Sequence, residues 1–266
     1  MRLALVSLLL LGCGRLGFAP VDDGAMDGAT DAPPGSYAAL VLAAGPHAYY
    51  RLGELTGVIA SDASGNGFDG AYYTDGGTLV LGAPGAIVSD PHAAVQLTGG
   101  GGLDGTTAGV RFDPAAACWA TDFTIEGWVK PERPPGGWNA GFVIWEEYLV
   151  SGFRTGWGAD LIPLFWTGES GGPAVNDDVH ATTPLAEAAW NHLVFTRRGS
   201  TVAIYVNGEL SATGVVDYLP PPSGVVNALG SDQGVPSSAA FDEVAFYAYP
   251  LTAERVAAHH AAGRRP

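Results

Sequence analysis

The sequence FTIEGWVKP, at residues 123–131, decides the fold, because apolar and polar side chains alternate along it. Alternation with a period of two is typical of a strand that has one face toward a core. We expect Phe123, Ile125 and Val129 to point to one face of a sheet and the even-numbered residues between them to point to the other. This stretch predicts a β-strand in the middle of the chain.

The rest of the chain repeats such patterns with turns between them. Strands are predicted at WNHLVFTR (190–197), TVAIYV (201–206) and FDEVAFY (241–247). The dipeptide Asn207-Gly208 lies between apolar runs and predicts a type I′ hairpin, since that turn needs positive φ at both central residues. A helix is predicted near the end, over residues 252–262 with a threonine as its N-cap. Many strands with almost no helix between them predict an all-β fold, an antiparallel β-sandwich with one short C-terminal helix.

Composition agrees with this fold class and excludes others. The chain has 266 residues with 39 Gly, 19 Pro and 10% aromatic residues, which fits short strands joined by turns. An apolar fraction of 47% can build a core, so disorder throughout is not expected. The 12 Lys and Arg against 27 Asp and Glu give a net charge of −15. So acidic a chain repels phosphate, and we expect no nucleic acid among its partners.

The N-terminus is expected to be a targeting segment. Residues 3–11 form an apolar run after Arg2 that is too short to cross a bilayer but suits a signal peptide. The run ends in Leu10-Leu11-Gly12-Cys13, which resembles a bacterial lipobox. That resemblance implies cleavage after residue 12 and lipidation of Cys13. Residues 1–12 are therefore assigned to a lipoprotein signal peptide, and Gly14, in place of an aspartate, favours the outer membrane of the cell envelope.

Two further segments follow the signal. Residues 13–36 are assigned to the acylated cysteine and an acidic tether, because residues 21–35 hold four aspartates, two prolines and no aromatic residue and cannot bury enough surface to fold. Residues 37–266 are assigned to one sandwich domain. Once Cys13 carries lipid, Cys118 stands alone, so we expect no intramolecular disulfide and a small, buried cysteine. Membrane contact is expected only through the lipid anchor.

Six motifs in order resemble a known family, the laminin-G-like, concanavalin-A-like lectin/glucanase jelly-roll domain. The resemblance covers roughly residues 38–262 and implies an antiparallel sandwich. The family includes sugar-binding modules, adhesion modules and domains appended to hydrolases, so the fold alone does not assign a function. The motifs are AYYRLGE (48–54) with DASGNGFDG (62–70), FTIEGWVKP (123–131), WNHLV (190–194), YVNG (205–208), FDEV (241–244) and LTAERV (251–256).

A calcium site is one candidate. Asp62, Ser64 and Asn66 place oxygen-bearing side chains at alternate positions before a glycine, as in the first half of an EF-hand loop. Position twelve is Tyr73 rather than a glutamate, so an EF-hand is excluded. The family resemblance implies that Asp242 on the closing strand supplies a second carboxylate to a structural Ca²⁺. The alternative is an Asx turn without metal, in which these side chains bond the backbone.

The sequence gives little indication of a catalytic site. The carboxylates occur as adjacent pairs, Glu146-Glu147 and Asp242-Glu243, and adjacent strand residues face opposite ways. Neither pair can locally supply the close carboxyls of a retaining glycosidase. The adjacent His259 and His260 are expected to be solvated or half-packed. The chain is therefore expected not to be an enzyme.

The remaining indication of a ligand-binding site comes from tryptophans. Four of them lie within 29 residues, and their flat apolar rings can stack on sugars. Core packing is the alternative for the same residues. We predict a non-catalytic module that binds an extracellular or envelope glycan, with protein–protein adhesion or an envelope-structural role as the alternative and glycan hydrolysis as a third. The four ligand-binding candidates are Trp138, Trp145, Trp157 and Trp166.

Overall fold

The structure is a computed structural model, and it describes most of the chain after residue 34. The N-terminal segment with Cys13, the glycine run at 99–102 and several loops lie outside the described residues. The described residues are 35–98, 107–112, 118–119, 121–133, 140–147, 151–167, 178–218, 220, 227–230 and 238–266.

Within these residues the chain forms sixteen strands and two helices. Helix α1 precedes all the strands in the chain, and helix α2 follows them. The bounds are α1 Tyr37–Ala43, β1 Ala48–Tyr50, β2 Ile59–Ala60, β3 Gly70–Asp75, β4 Thr78–Pro84, β5 Ala93–Thr98, β6 Thr107–Phe112, β7 Phe123–Pro131, β8 Ala140–Glu147, β9 Ser151–Trp157, β10 Pro163–Thr167, β11 Asp178–His180, β12 Asn191–Arg198, β13 Thr201–Val206, β14 Glu209–Val215, β15 Asn227–Gly230, β16 Ala239–Tyr247 and α2 Ala253–Gly263.

The strands form two antiparallel sheets. Sheet A has the order β14-β13-β12-β7-β16-β5-β4, with β1 paired to β16. Sheet B has the order β11-β10-β9-β8-β15-β6-β3-β2. The predicted all-β sandwich with a short C-terminal helix is confirmed.

The main core lies between the two sheets. The odd-numbered residues of β7, Phe123, Ile125 and Val129, are fully buried there, as the alternation predicted. Rings from both sheets meet in this layer: Phe142 stacks on Phe241 with centroids 5.9 Å apart. Burial of these large side chains is the main source of stability, at roughly 1.5–3 kcal/mol for each.

A second apolar layer covers the outer face of sheet A. It joins Trp128, Val194 and Tyr247 of the sheet to residues of α1 and α2. Sheet A is thus buried on both faces, which an ordinary two-layer sandwich does not require. Residues of the helices and of the loop after β4 in this layer include Tyr37, Ala38, Val41, Ala86, Ile87, Val256 and Ala262.

The predicted turn and helix are confirmed, and one helix was missed. Asn207 and Gly208 have φ of 52° and 83°, the positive values that the hairpin requires. Thr252 caps α2 by accepting a hydrogen bond from Arg255 N. The missed helix is α1, seven residues capped by Ser36. So short a helix is marginal alone and owes its stability to packing on sheet A.

Neither of the helices in the described part of the chain has the length and apolar character to cross a membrane. Cys118 is buried, as expected, and its burial raises the pKa of the thiol to about 12.

Candidate functional site

Three carboxylates lie on the outer face of sheet A, in the neighbouring strands β7 and β16. Asp242 pairs with Trp128 across the strands, and Ala245 pairs with Glu126. The register shifts between Asp242 and Ala245, and Glu243 has a φ of 54°. This β-bulge places both Asp242 and Glu243 on the outer face. The expectation that these adjacent carboxylates face opposite ways is therefore wrong.

Glu126 accepts hydrogen bonds from four different elements. Its Oε1 lies 2.8 Å from His192 Nε2, and His259 Nδ1 lies 2.9 and 3.1 Å from its two oxygens. Tyr37 donates to Oε1 at 3.2 Å and Tyr247 to Oε2 at 2.8 Å. An ionised carboxylate only accepts, so both imidazoles donate. Burial by itself raises the pKa of Glu126, but the histidine hydrogen bonds outweigh it and hold the pKa well below its usual range.

Glu243 forms the centre of a second buried network. Arg51 donates to Glu243 Oε1 from Nε at 3.1 Å and from Nη2 at 2.9 Å. Tyr49 donates to Oε2, and Asp90 also pairs with Arg51. The motif at residues 48–54 is thereby tied to the closing strand. An arginine fork is suited to such a paired carboxylate because its donors are fixed in one plane.

Asp242 is the least satisfied carboxylate of the three. It is 1% exposed, its Oδ2 accepts from Ala86 N at 2.7 Å, and its Oδ1 has no hydrogen-bond partner among the described residues. Burial and the neighbouring charge of Glu243 raise its pKa well above the usual value. Burial also raises the pKa of Glu243, against the effect of Arg51. A proton bound at Asp242 would offset the cost of burying the neighbouring carboxylates Asp242 and Glu243.

These groups are buried rather than arranged around a cleft. Glu126 and Glu243 are both 0% exposed, and His259 is 2% exposed. Tyr37 of α1 and His259 of α2 lie directly against Glu126. Glycoside hydrolysis needs two carboxyls that reach the substrate and a water molecule. The arrangement on this face instead attaches the helices to the sheet.

Sequence reasoning missed the role of the histidines. His259 was expected to be solvated or half-packed, but it lies on the buried stripe of α2 with Val256 and Ala262. These three residues are spaced by three along the helix, and that periodicity is the signal that could have found it. His260 is half-buried and stacks on Trp128 with centroids 5.8 Å apart. Burial lowers the pKa of His260 to about 4.

The loop with the predicted calcium ligands forms Asx-turn contacts. Asp62 Oδ1 accepts from Tyr49 N at 2.9 Å and Ser64 N at 3.0 Å, and its Oδ2 accepts from Ser64 Oγ at 2.8 Å and Phe68 N at 3.0 Å. Asn66 donates from Nδ2 to the carbonyl of His47 at 2.9 Å. These bonds tie the loop to β1.

The predicted calcium ligands Asp62, Asn66 and Asp242 each form a hydrogen bond with a different part of the backbone. The hydrogen bonds of Asp62 and those of Asp242 share no partner. In the part of the chain that the structure describes, no three His, Cys, Asp or Glu side chains are grouped to hold a metal ion. Calcium binding stays a prediction, which a titration can test.

The four predicted tryptophans have different positions. Trp138 lies outside the described residues, and of Trp145 only the place in β8 is described. Trp157 is fully buried in the core between the sheets, so it presents no ring face to a ligand. Trp166 is half-buried on β10. Among the predicted tryptophans whose side chains the structure describes, Trp166 is the one with part of its surface exposed.

Trp166 belongs to a row of residues that crosses the outer face of sheet B. Directly paired residues of antiparallel strands project from the same face. The guanidinium of Arg154 lies over the Trp166 ring, 5.1 Å from its centroid. The pairing register gives the row as Asp178, Trp166, Arg154, Ile144, Ala228, Arg111, Ala71 and Ile59.

The fold and its surface define a jelly-roll sandwich of the lectin and glucanase type. Residues 104–257 match the family described as Laminin_G_3, concanavalin A-like lectin/glucanases superfamily. The chain belongs to this family. A sequence search against curated proteins finds no match.

Solved structures show the same fold at low sequence identity. Domain 4 of AbnA, a GH43 extracellular arabinanase from Geobacillus stearothermophilus in complex with arabinotriose, is 22% identical, with a TM-score of 0.60 over 81% of this chain and 98% of that one. The binding domain of botulinum neurotoxin DC in complex with SialylT is 13% identical, with a TM-score of 0.60 over 83% and 52%. Trypanosoma rangeli sialidase in complex with 2,3-difluorosialic acid is 13% identical, with a TM-score of 0.52 over 82% and 33%. The chain thus spans nearly all of the first structure, half of the second and a third of the third.

The substitution Asp242→Asn should stabilise the protein at pH 8. A raised pKa means that, above the value of about 3.9 in the unfolded chain, the folded state binds more protons and loses stability as pH rises. Asparagine removes this loss, so the variant should be more stable than the wild type at pH 8. The advantage should shrink toward pH 5. Urea unfolding at several pH values measures it.

The exposed Asp75 supplies the matched control for this titration. Asp75→Asn, a surface substitution, should change the free energy of unfolding by less than about 0.5 kcal/mol. A constant difference between Asp242→Asn and the wild type from pH 5 to pH 8 would contradict the raised pKa.

The substitution Asp62→Ala should lower the free energy of unfolding by about 2–4 kcal/mol, since it leaves Tyr49 N and Phe68 N without their acceptor. The loss should be present in EDTA. Thermal unfolding with millimolar Ca²⁺ tests the metal prediction at the same time. A rise in Tm that disappears in Asp62→Ala and Asp242→Ala supports the calcium site, and no rise in the wild type excludes it.

Proposed function

We propose that the domain is a non-catalytic module that binds glycans on the outer face of sheet B. The observation that carries this proposal is the half-buried Trp166 ring with the guanidinium of Arg154 over it. An aromatic ring offers an apolar face for the C–H surface of a sugar, and guanidinium N–H groups donate to hydroxyls. The pair combines both on a regular strand framework, which positions a site well.

The burial of the acidic groups supports the non-catalytic part of the proposal. Glu126, Asp242 and Glu243 are each at most 1% exposed. Their oxygens serve α1, α2 and the loop that contains Ala86. A substrate would have to displace the two helices before it could reach these carboxyls. Hydrolysis at this face is therefore not part of the proposal.

The comparisons add support of a general kind. The family description includes lectins and glucanases. The arabinanase domain was solved with arabinotriose and the neurotoxin domain with SialylT, so sandwiches of this fold hold oligosaccharides. Only the class of ligand is carried over from these proteins to this chain. At sequence identities of 22% and 13%, the similarity concerns the fold alone.

Protein binding is the second candidate, and one surface favours it. Leu55, Val58 and Ile59 are 72%, 69% and 55% exposed, and Val80 on the edge strand β4 is 48% exposed. Exposed apolar side chains of this size often mark contact sites for other proteins. Another structure of the botulinum neurotoxin DC binding domain was solved with rat synaptotagmin II.

The proposed location is the cell envelope, with a lipid anchor on Cys13 and an outer-membrane address. The support is the sequence of residues 1–14. Expression of the full chain in a bacterium with radiolabelled palmitate should label the wild type and leave Cys13→Ala unlabelled. Label on both, or on neither, would contradict the anchor.

The variant Trp166→Ala should lose at least about tenfold in affinity for a bound oligosaccharide, in line with the loss of one stacked ring. An array that includes arabino- and sialyl-oligosaccharides identifies a binder, and calorimetry on residues 35–266 measures its affinity. Trp190→Ala is the matched control, because Trp190 is also half-buried but packs on the sheet A side.

Equal loss in both tryptophan variants would point to general destabilisation and contradict a site at Trp166. Absence of binding across the array would reject glycan recognition. Protein capture that depends on Leu55 and Val58 but not on Trp166 would favour the second candidate.

A further inference from the structure

Arg111 is held in a fixed position on the outer face of sheet B, away from Trp166. It is exposed on β6, and its guanidinium lies over the Tyr73 ring, 4.1 Å from the centroid. Tyr73 is half-buried on β3 and pairs directly with Gly109 of β6. At 4.1 Å the planar group is in contact with the ring, so the arginine is stacked rather than free to sweep through solvent.

A glycine makes this stack possible. A Cβ at Gly109 would lie 3.2 Å from Tyr73 Oη and only 2.2 Å from the carbonyl oxygen of Leu229. The phenol therefore leans across Gly109 toward β15 and lies close to the backbone of the sheet. The exposed guanidinium of Arg111 lies over this half-buried ring.

An apolar strip lies beside this stack. Arg111 pairs with Ala71, and Ala71 pairs with Ile59, so the three residues share one row on the outer face. Ala71 is exposed and Ile59 is 55% exposed. A sugar ring placed on Ile59 and Ala71 would bury its C–H surface and bring its substituents to the guanidinium.

The chemistry of the stacked arginine points to a carboxylate. A guanidinium has five N–H donors in one plane and matches a carboxylate with two parallel hydrogen bonds. Its several donors allow it to serve a protein group and a ligand at once, so recognition does not require an otherwise unpaired Arg111. Contact with the Tyr73 ring restricts the Arg111 guanidinium before a ligand binds, so the side chain loses less conformational entropy on binding.

We infer that Arg111, Tyr73 and the Ile59–Ala71 strip form a subsite for an acidic sugar, which is recognised through its carboxylate. The inference rests on the proposed function and narrows its ligand class. The net charge of −15 repels anions from the protein as a whole. An acidic sugar is therefore retained only where a cation is positioned for it.

Calorimetry with matched sugar pairs tests the inference on residues 35–266. The probes are galacturonic acid trimer against galactose trimer, and 3′-sialyllactose against lactose. We expect at least one acidic member to bind about tenfold or more tightly than its neutral partner, because a charged hydrogen bond is worth more than a neutral one. Arg111→Gln should abolish that preference and leave the neutral affinity unchanged.

Three further variants separate positioning from charge. Arg111→Lys keeps the charge but not the planar fork, and it should lose the preference as Arg111→Gln does. Tyr73→Ala should weaken the preference for the acidic sugar, although Arg111 is still present. Arg198→Gln removes an exposed arginine at the end of β12, in the other sheet, and should change nothing. Thermal unfolding confirms that each variant is folded.

The outcomes distinguish this subsite from the site at Trp166. Neutral sugars that bind through Trp166, with acidic ones no tighter, would overturn the subsite and leave the proposed function standing. An acidic preference that survives in Arg111→Gln would overturn the assignment to Arg111. A preference retained in Arg111→Lys would overturn the role of the stacked plane. No binding of any probe by a folded wild type would reject the subsite, and array binding would then decide the proposed function separately.

Discussion

The buried carboxylate of Glu126 is the constraint on which the outer side of sheet A depends. It accepts hydrogen bonds from Tyr37 of α1, His259 of α2, His192 of β12 and Tyr247 of β16. An unpaired charge at 0% exposure would cost several kcal/mol. The two docked helices bury this carboxylate and supply two of the four groups that donate to it. A single ion thus couples the two ends of the domain to the middle strands.

This coupling decides which face can bind a ligand. With α1 and α2 in place, the outer face of sheet A is a second interior that also contains Asp242, Glu243 and Arg51. The outer face of sheet B carries the exposed Arg111 and the half-buried Tyr73, Arg154 and Trp166, while Ile144 and Ala228 of the same row are buried. The two faces of the sandwich differ in burial, and the proposed glycan contacts lie on the face that the helices do not cover.

Much of the fold could be predicted because its signals are local. The alternation of residues 123–131 depends on one strand and one core, and the Asn207-Gly208 turn depends on two φ angles. The bulge at Glu243 could not be read in this way, since a glutamate with positive φ has no signature in the sequence. Helix α1 was missed because a short apolar run has no clear period and folds only against sheet A. The candidate sites were harder still: Tyr73 and Arg111 are brought together by strand register, which residue spacing does not reveal.

The position of α1 has a consequence for how the domain faces its surroundings. The helix begins at Tyr37 and packs, together with α2, on the outer face of sheet A. Any chain that leads into residue 35 therefore enters from that side of the sandwich. A support attached close to residue 35 lies on that same side of the sandwich. The exposed Arg111, Ala71 and Ile59 on the outer face of sheet B then face away from the support, toward whatever approaches from solution.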